Sequence, residues 1–129
     1  MFRAGVKSRL RAVHALPREG GSEASPHAHD YVIQWSCATA ALDEKGYSVD
    51  ISELKRCLGE VCRALDGADL NALPFFSSRA PSVENVAVFV TSELRRLLGT
   101  SASGIGRSEI TIWESEDAWA SYEEPWGGR

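Results

Sequence analysis

Three histidines make up the whole imidazole complement of the chain: His14, His27 and His29. His27 and His29 stand at i and i+2, so in a strand they project from one side. His14 ends an earlier run of alternating polarity, on that run's apolar parity. Two imidazoles from one strand and a third from a neighbour fill three of zinc's four tetrahedral positions, leaving one open as catalytic sites do. A lone His-x-His is also what two solvated strand-end histidines look like. Spacing alone fits both readings.

The carboxylates divide in the same way. Glu114 shares its parity with Ile110 and Ile112. A carboxylate on an apolar face is costly unless paired. It is either a strand-end acid reaching solvent or an anion that accepts two hydrogen bonds from an amidine-like edge such as a 2-aminopyrimidinone. Glu23 lies in a loop four residues before His27, and Asp66 and Asp69 flank Gly67. Taken singly these are ordinary loop and turn acids. Cys37, Cys57 and Cys62 are odd in number, contain no Cys-x-x-Cys and fall on apolar positions. They read as core thiols in a reducing cytoplasm rather than as nucleophiles or a disulfide framework.

The elements that must position these groups follow from periodicity. Phe2, Ala4, Val6, Leu10 and Ala12 alternate with Arg3, Lys7, Arg9 and Arg11, which predicts a half-buried strand over 2–14. Residues 17–26 are a loop by composition. A second strand over 27–41 carries His27, His29, Tyr31, Ile33, Trp35 and Cys37 on one face. Asp50 is the N-cap of a helix, with Glu53 in the reciprocal position and Ile51, Leu54, Leu58, Val61 and Leu65 at helical spacing; Gly67 stops it. Residues 68–81 are irregular. Pro81-Ser82 opens a second helix, with Val86, Val90, Leu94 and Leu97 facing the core and Gly99 ending it. Ser108–Glu114 is a third strand and Ala118–Tyr122 a short fourth. The order is ββααβ(β), an α+β arrangement with an antiparallel sheet.

Length and composition narrow the class. The 129 residues are one domain, and 43% hydrophobic residues support one real core. No apolar run is long enough for a membrane span, and no secretory leader is expected. A net charge of −4 argues against nucleic-acid binding. Residues 1–18 carry five Lys/Arg and no acid, whereas residues 108–129 carry six acids and one Arg. Such faces pair across a sheet or a subunit contact.

In this order the motifs resemble the 6-pyruvoyltetrahydropterin synthase / 6-carboxytetrahydropterin synthase family. His14 and His27-Ala-His29-Asp-Tyr31 look like its zinc signature, usually His-Gly-His. Gly46-Tyr-Ser-Val-Asp50 is similar to its entry into the first helix. Leu65-Asp66-Gly67-Ala-Asp-Leu70-Asn71 is similar to its Leu-Asp-His-x-x-Leu-Asn segment. Ser82-Val-Glu84-Asn85 resembles the start of its second helix, and Trp113-Glu114-Ser115 its C-terminal Glu-Thr. The resemblance implies the tunnelling fold: a four-stranded antiparallel sheet with two helices on one face, assembled into an oligomeric β-barrel, typically a hexamer of two trimers with sites between subunits. It implies Zn²⁺ on His14, His27 and His29, Glu114 as the pterin anchor and Ser82 beside the substrate.

The proton-transfer set departs from the family. Its loop cysteine is absent. Glu23 stands where the carboxytetrahydropterin branch places that Cys, and the family's Asp-His has become Asp66-Gly67. Some relatives with Glu for Cys resemble enzymes that cleave the dihydroneopterin side chain. The resemblance therefore implies a zinc-dependent lyase or cyclase acting on a pterin or another chelating polyol or keto substrate, with Glu23 as base and Asp66 as a supporting charge. Because the departures fall on residues that select chemistry, a specialised biosynthetic pathway is expected. The alternative is a non-catalytic pterin- or metal-binding homologue.

Overall fold

Residues 1–127 are described by a computed structural model. Strand β1 (Phe2–His14) pairs antiparallel with β2 (His27–Thr39), β2 with β3 (Arg107–Trp113) and β3 with β4 (Trp119–Pro125), giving the sheet order β1-β2-β3-β4. The parity read from the sequence holds on the inner face. Val6, Leu10, Ala12, Tyr31, Ile33, Trp35, Cys37, Ile110 and Ile112 are buried there. The register sets His14 directly opposite His27, and His29 opposite Ala12. Gly5 lets β1 and β2 approach closely: a Cβ there would stand 2.4 Å from the carbonyl oxygen of Trp35.

Both helices lie between β2 and β3 in sequence and complete one core on the inner face. Helix α1 (Ile51–Leu65) packs on β1 and α2 (Val83–Leu98) packs on β3 and β4. Asp50 caps α1 by accepting the Glu53 N–H at 3.3 Å. The Glu53 carboxylate does not complete a capping box. Arg56 holds it at 2.6 Å, an i,i+3 pair on the exposed side. Ser82 caps α2 by accepting the Asn85 N–H at 3.1 Å. In the last turn of α2, Leu98 is fully packed, whereas Leu97, expected in the core, is only partly buried against it.

Two further expectations needed adjustment. Residues 68–81 hold two short 3₁₀ turns, Leu70–Ala72 and Pro74–Phe76. Strand β4 continues past Tyr122 to Pro125, paired with β3 as far as Arg107, and the carboxylate of Glu124 there accepts from Tyr122 Oη at 2.7 Å and Trp126 Nε1 at 2.8 Å. Among the described residues, no helix is long and apolar enough to cross a membrane.

Candidate metal centre

The β1–β2 register brings the three imidazoles together at one end of the sheet. Ring centroids lie 4.5 Å apart for His14–His27 and 5.0 Å for each of the other two pairs. One ligand nitrogen of each lies within 4.8 Å of the others. His14 is 1% exposed; His27 and His29 are half-buried. All three Nε2 atoms are buried and lack any hydrogen-bond partner.

The other ring nitrogens explain why. His14 Nδ1 is 2.8 Å from the carbonyl oxygen of Pro81, and His27 Nδ1 is 2.8 Å from that of Ser25. A carbonyl only accepts, so in His14 and His27 Nδ1 carries a hydrogen, and in the neutral ring Nε2 presents its lone pair. This is the orientation a metal-ligating histidine takes from its outer partners. Burial, working against the Pro81 hydrogen bond, also lowers the pKa of His14 and favours the neutral ring.

Two carboxylates approach the same nitrogens. Glu23 Oε1 is 3.5 Å from His27 Nε2, and Glu114 Oε2 is 3.8 Å from His29 Nε2. A carboxylate facing the lone pair of His27 Nε2 is repulsive unless a cation or proton lies between them. Three converging imidazoles with orphaned Nε2 atoms, flanked by carboxylates, therefore suit a divalent cation. A nitrogen-rich donor set fits zinc.

A matching apparatus holds β1 in place. The Gly67 N–H donates to the carbonyl of Arg11 at 2.6 Å, and Asp66 Oδ1 accepts the Arg11 N–H at 2.9 Å. The Val13 N–H donates to Ala68 at 2.9 Å. Asn71 then accepts the Ala15 N–H at 2.8 Å and donates to the Ala15 carbonyl at 3.1 Å. Residues 66–71 thus cover the free edge of β1 on both sides of His14. The Pro81 carbonyl is held by the α2 cap, where Asn85 Nδ2 donates to Ala80 at 2.8 Å.

A family model described as 6-pyruvoyl tetrahydropterin synthase matches residues 4–125. The chain belongs to this family. A search of the curated proteins found no match. Among solved structures, Caenorhabditis elegans 6-pyruvoyl tetrahydropterin synthase is similar over 95% of each chain, at 20% identity and a TM-score of 0.82. The Plasmodium falciparum enzyme is similar over 96% of this chain and 98% of its own, at 19% identity and a TM-score of 0.79. A Plasmodium vivax 6-pyruvoyltetrahydropterin synthase, described as a catalytic-residue variant with glutamate replaced by alanine, covers 96% and 98% at 18% identity and a TM-score of 0.75. At these identities the likeness is one of fold.

Within this family fold, Glu23 belongs to the 12-residue β1–β2 connection. Gly20 and Gly21 turn it with φ of 73° and 57°, and the Leu16 N–H donates to the Glu23 carbonyl at 2.7 Å. The loop thereby returns Glu23 to His27. Asp66, expected as a supporting charge, caps the end of α1 and accepts the Arg11 N–H; among the described residues it makes no hydrogen bond or ion pair with the three histidines. Gly67, at the family's histidine position, has a φ of 79°, where a side chain is strained. Ser82 lines a cavity of about 740 Å³ next to Pro81, together with Arg18, Glu19, Asn71 and Arg79; none of the three histidines lines it. The roles of Pro81, Asn71, Asn85 and Tyr31 went unread in the sequence. For Asn71, Asn85 and Tyr31 the only signal is their place inside the motifs that carry the family resemblance; Pro81 reads only as the opening of a helix.

Proposed function

We propose that the protein is a zinc-dependent lyase or cyclase acting on a pterin, or on another substrate with a chelating polyol or keto side chain. The observation that carries this reading is the convergence of three partnerless Nε2 atoms with Glu23 at 3.5 Å from one of them. His14, His27 and His29 hold the zinc. When bound, it supplies Lewis-acid polarisation of a substrate oxygen and so acidifies the neighbouring C–H and O–H groups.

The chain's own groups do the rest. Glu23, half-exposed on its glycine-turned loop, takes the proton next to the polarised oxygen. Such a base suits enolisation, dehydration or retro-aldol cleavage. A glutamate described as a catalytic residue in the Plasmodium vivax relative supports a carboxylate in this role. Glu114, at the end of β3, binds the amino-pyrimidine edge through two charge-assisted hydrogen bonds. Ser82 offers its hydroxyl hydrogen, since its oxygen already accepts from Asn85. Asp66 steadies β1. A second copy supplies the rest of the cleft in a homo-oligomer, most simply a hexamer of two trimers closing a barrel. The absence of the family's histidine at Gly67 favours one competing reading, a homologue that binds pterin and metal without turnover.

A mass-detected screen over pterins with polyol side chains, followed by Glu23→Gln, tests this. Turnover should vanish in Glu23→Gln while zinc content stays intact. Wild-type turnover by Glu23→Gln places the base elsewhere, and pterin binding without any product establishes the competing reading.

A further inference from the structure

Tyr31 follows His29 by two residues on the same face of β2 and is 1% exposed. Its ring stands edge-on to His14 and His29, with centroids 6.2 Å and 5.5 Å away. Its hydroxyl is buried without a hydrogen-bond partner. Among the described residues, the only other buried side-chain atoms in that condition are the three histidine Nε2 atoms. The four side chains that carry orphaned polar atoms are therefore neighbours at the end of one hairpin. Buried hydroxyls in native proteins are almost always satisfied, so this one awaits a partner from outside the chain.

The nature of that partner is constrained. A phenol can donate or accept. At neutral pH a tyrosine side chain is an uncharged O–H. Glu23 and Glu114, 3.5 Å and 3.8 Å from the nearest histidine nitrogens, disfavour a further free anion there, and a phenol donates more readily than it accepts. Neither carboxylate is hydrogen-bonded to the hydroxyl.

We propose that Tyr31 is a substrate-orienting residue whose O–H donates to an acceptor oxygen, of a ketone or a hydroxyl, held over the three histidines. It rests on the reading of those histidines as a zinc site. It extends that reading by naming the group that selects an oxygen acceptor over an amine or amide N–H at that position.

The test uses cobalt(II)-loaded protein, whose visible absorption reports ligands at the metal, with acetohydroxamate as an oxygen-donor probe. Tyr31→Phe keeps the ring and removes the donor. Cobalt stoichiometry should not change, and acetohydroxamate should bind roughly tenfold more weakly than to wild type, the loss of one such hydrogen bond. The melting temperature of metal-free Tyr31→Phe should equal or exceed that of wild type, because no partner is lost. Equal probe affinity overturns the proposal. So does a metal-free variant that melts several degrees lower or fails to fold, since the hydroxyl would then already have a partner in the fold. If wild type binds cobalt but not the probe, the proposal also fails while the metal site stands. If wild type binds no cobalt, the zinc reading itself is lost.

Discussion

The ring of His14 is tied to the carbonyl oxygen of Pro81, 67 residues further along the chain, by a 2.8 Å hydrogen bond. This bond joins the end of β1 to the start of α2 and selects the tautomer that turns Nε2 toward His27 and His29. The carbonyl is aimed by the turn that Asn85 pins to Ala80. Outer-shell partners of this kind typically contribute 10–100-fold to metal affinity. Asn85→Ala should therefore weaken zinc binding by about tenfold without removing any ligand. A competition titration against a chromogenic chelator measures it. Unchanged affinity would mean that Pro81 holds its place without Asn85.

Glu114 is expected to recognise the substrate ring. Glu114→Gln keeps the shape and presents a donor where an acceptor is needed. Pterin affinity should fall by roughly 1–3 kcal/mol, the range for leaving a buried partner unsatisfied. Calorimetric titration of the zinc-loaded proteins decides the matter. Equal affinities would remove Glu114 from ring recognition and leave it as a charge beside His29.

What the chain reveals before folding is uneven, for physical reasons. The histidine face is legible because strand parity is a strict period of two: once β1 and β2 are recognised, His14, His27 and His29 must share a side. The caps at Asp50 and Ser82 are legible because their side chains act within three residues. The hold on His14 is not legible, because Pro81, Asp66 and Asn71 reach β1 from more than 50 residues away. The extent of β4 is obscured by Glu123-Glu124, since the pairing of Glu124 with Tyr122 and Trp126 exists only in the folded state. Tyr31 reads as core from its parity, and it is core; its orphaned hydroxyl becomes visible only among its neighbours.

The thiols carry a pH dependence with a definite sign. Burial pushes Cys37 up to about 12 and also raises Cys57 and Cys62. The folded protein thus keeps thiol protons that the unfolded chain releases above about pH 9. This contribution to stability is complete below that pH and is lost as pH rises toward the folded values. Denaturant midpoints should fall between about pH 9 and 12, and the fall should shrink in Cys37→Ala relative to its own neutral-pH value. At pH 8 the native protein should resist a thiol reagent that labels all three cysteines in denaturant. Rapid native labelling of Cys37 would contradict its burial.

The two sheet edges should bring copies together. Over residues 2–10 the edge strand β1 presents Lys7 and Arg9 on its outer face, whereas Arg3 pairs with Glu109 and Glu123 on the other edge strand, β4, pairs with Arg107. An open sheet whose β4 edge and residues 2–10 of β1 have no strand partner favours closure by further copies. Light scattering at micromolar concentration should give a mass near six chains, and raised salt should shift it toward smaller species. A monomer at low salt would contradict the assembly.

Zinc stoichiometry bears most directly on the account. Metal-free protein titrated with Zn²⁺ should bind one ion per chain, and its melting temperature should rise. At 100 times the dissociation constant, the stabilisation should be about 2.7 kcal/mol. His14→Ala, His27→Ala and His29→Ala should each abolish tight binding, while Glu23→Gln should not. A wild-type protein that neither takes up zinc nor gains stability from it, or three alanine variants that bind as wild type does, would contradict the claim that these histidines form a metal centre.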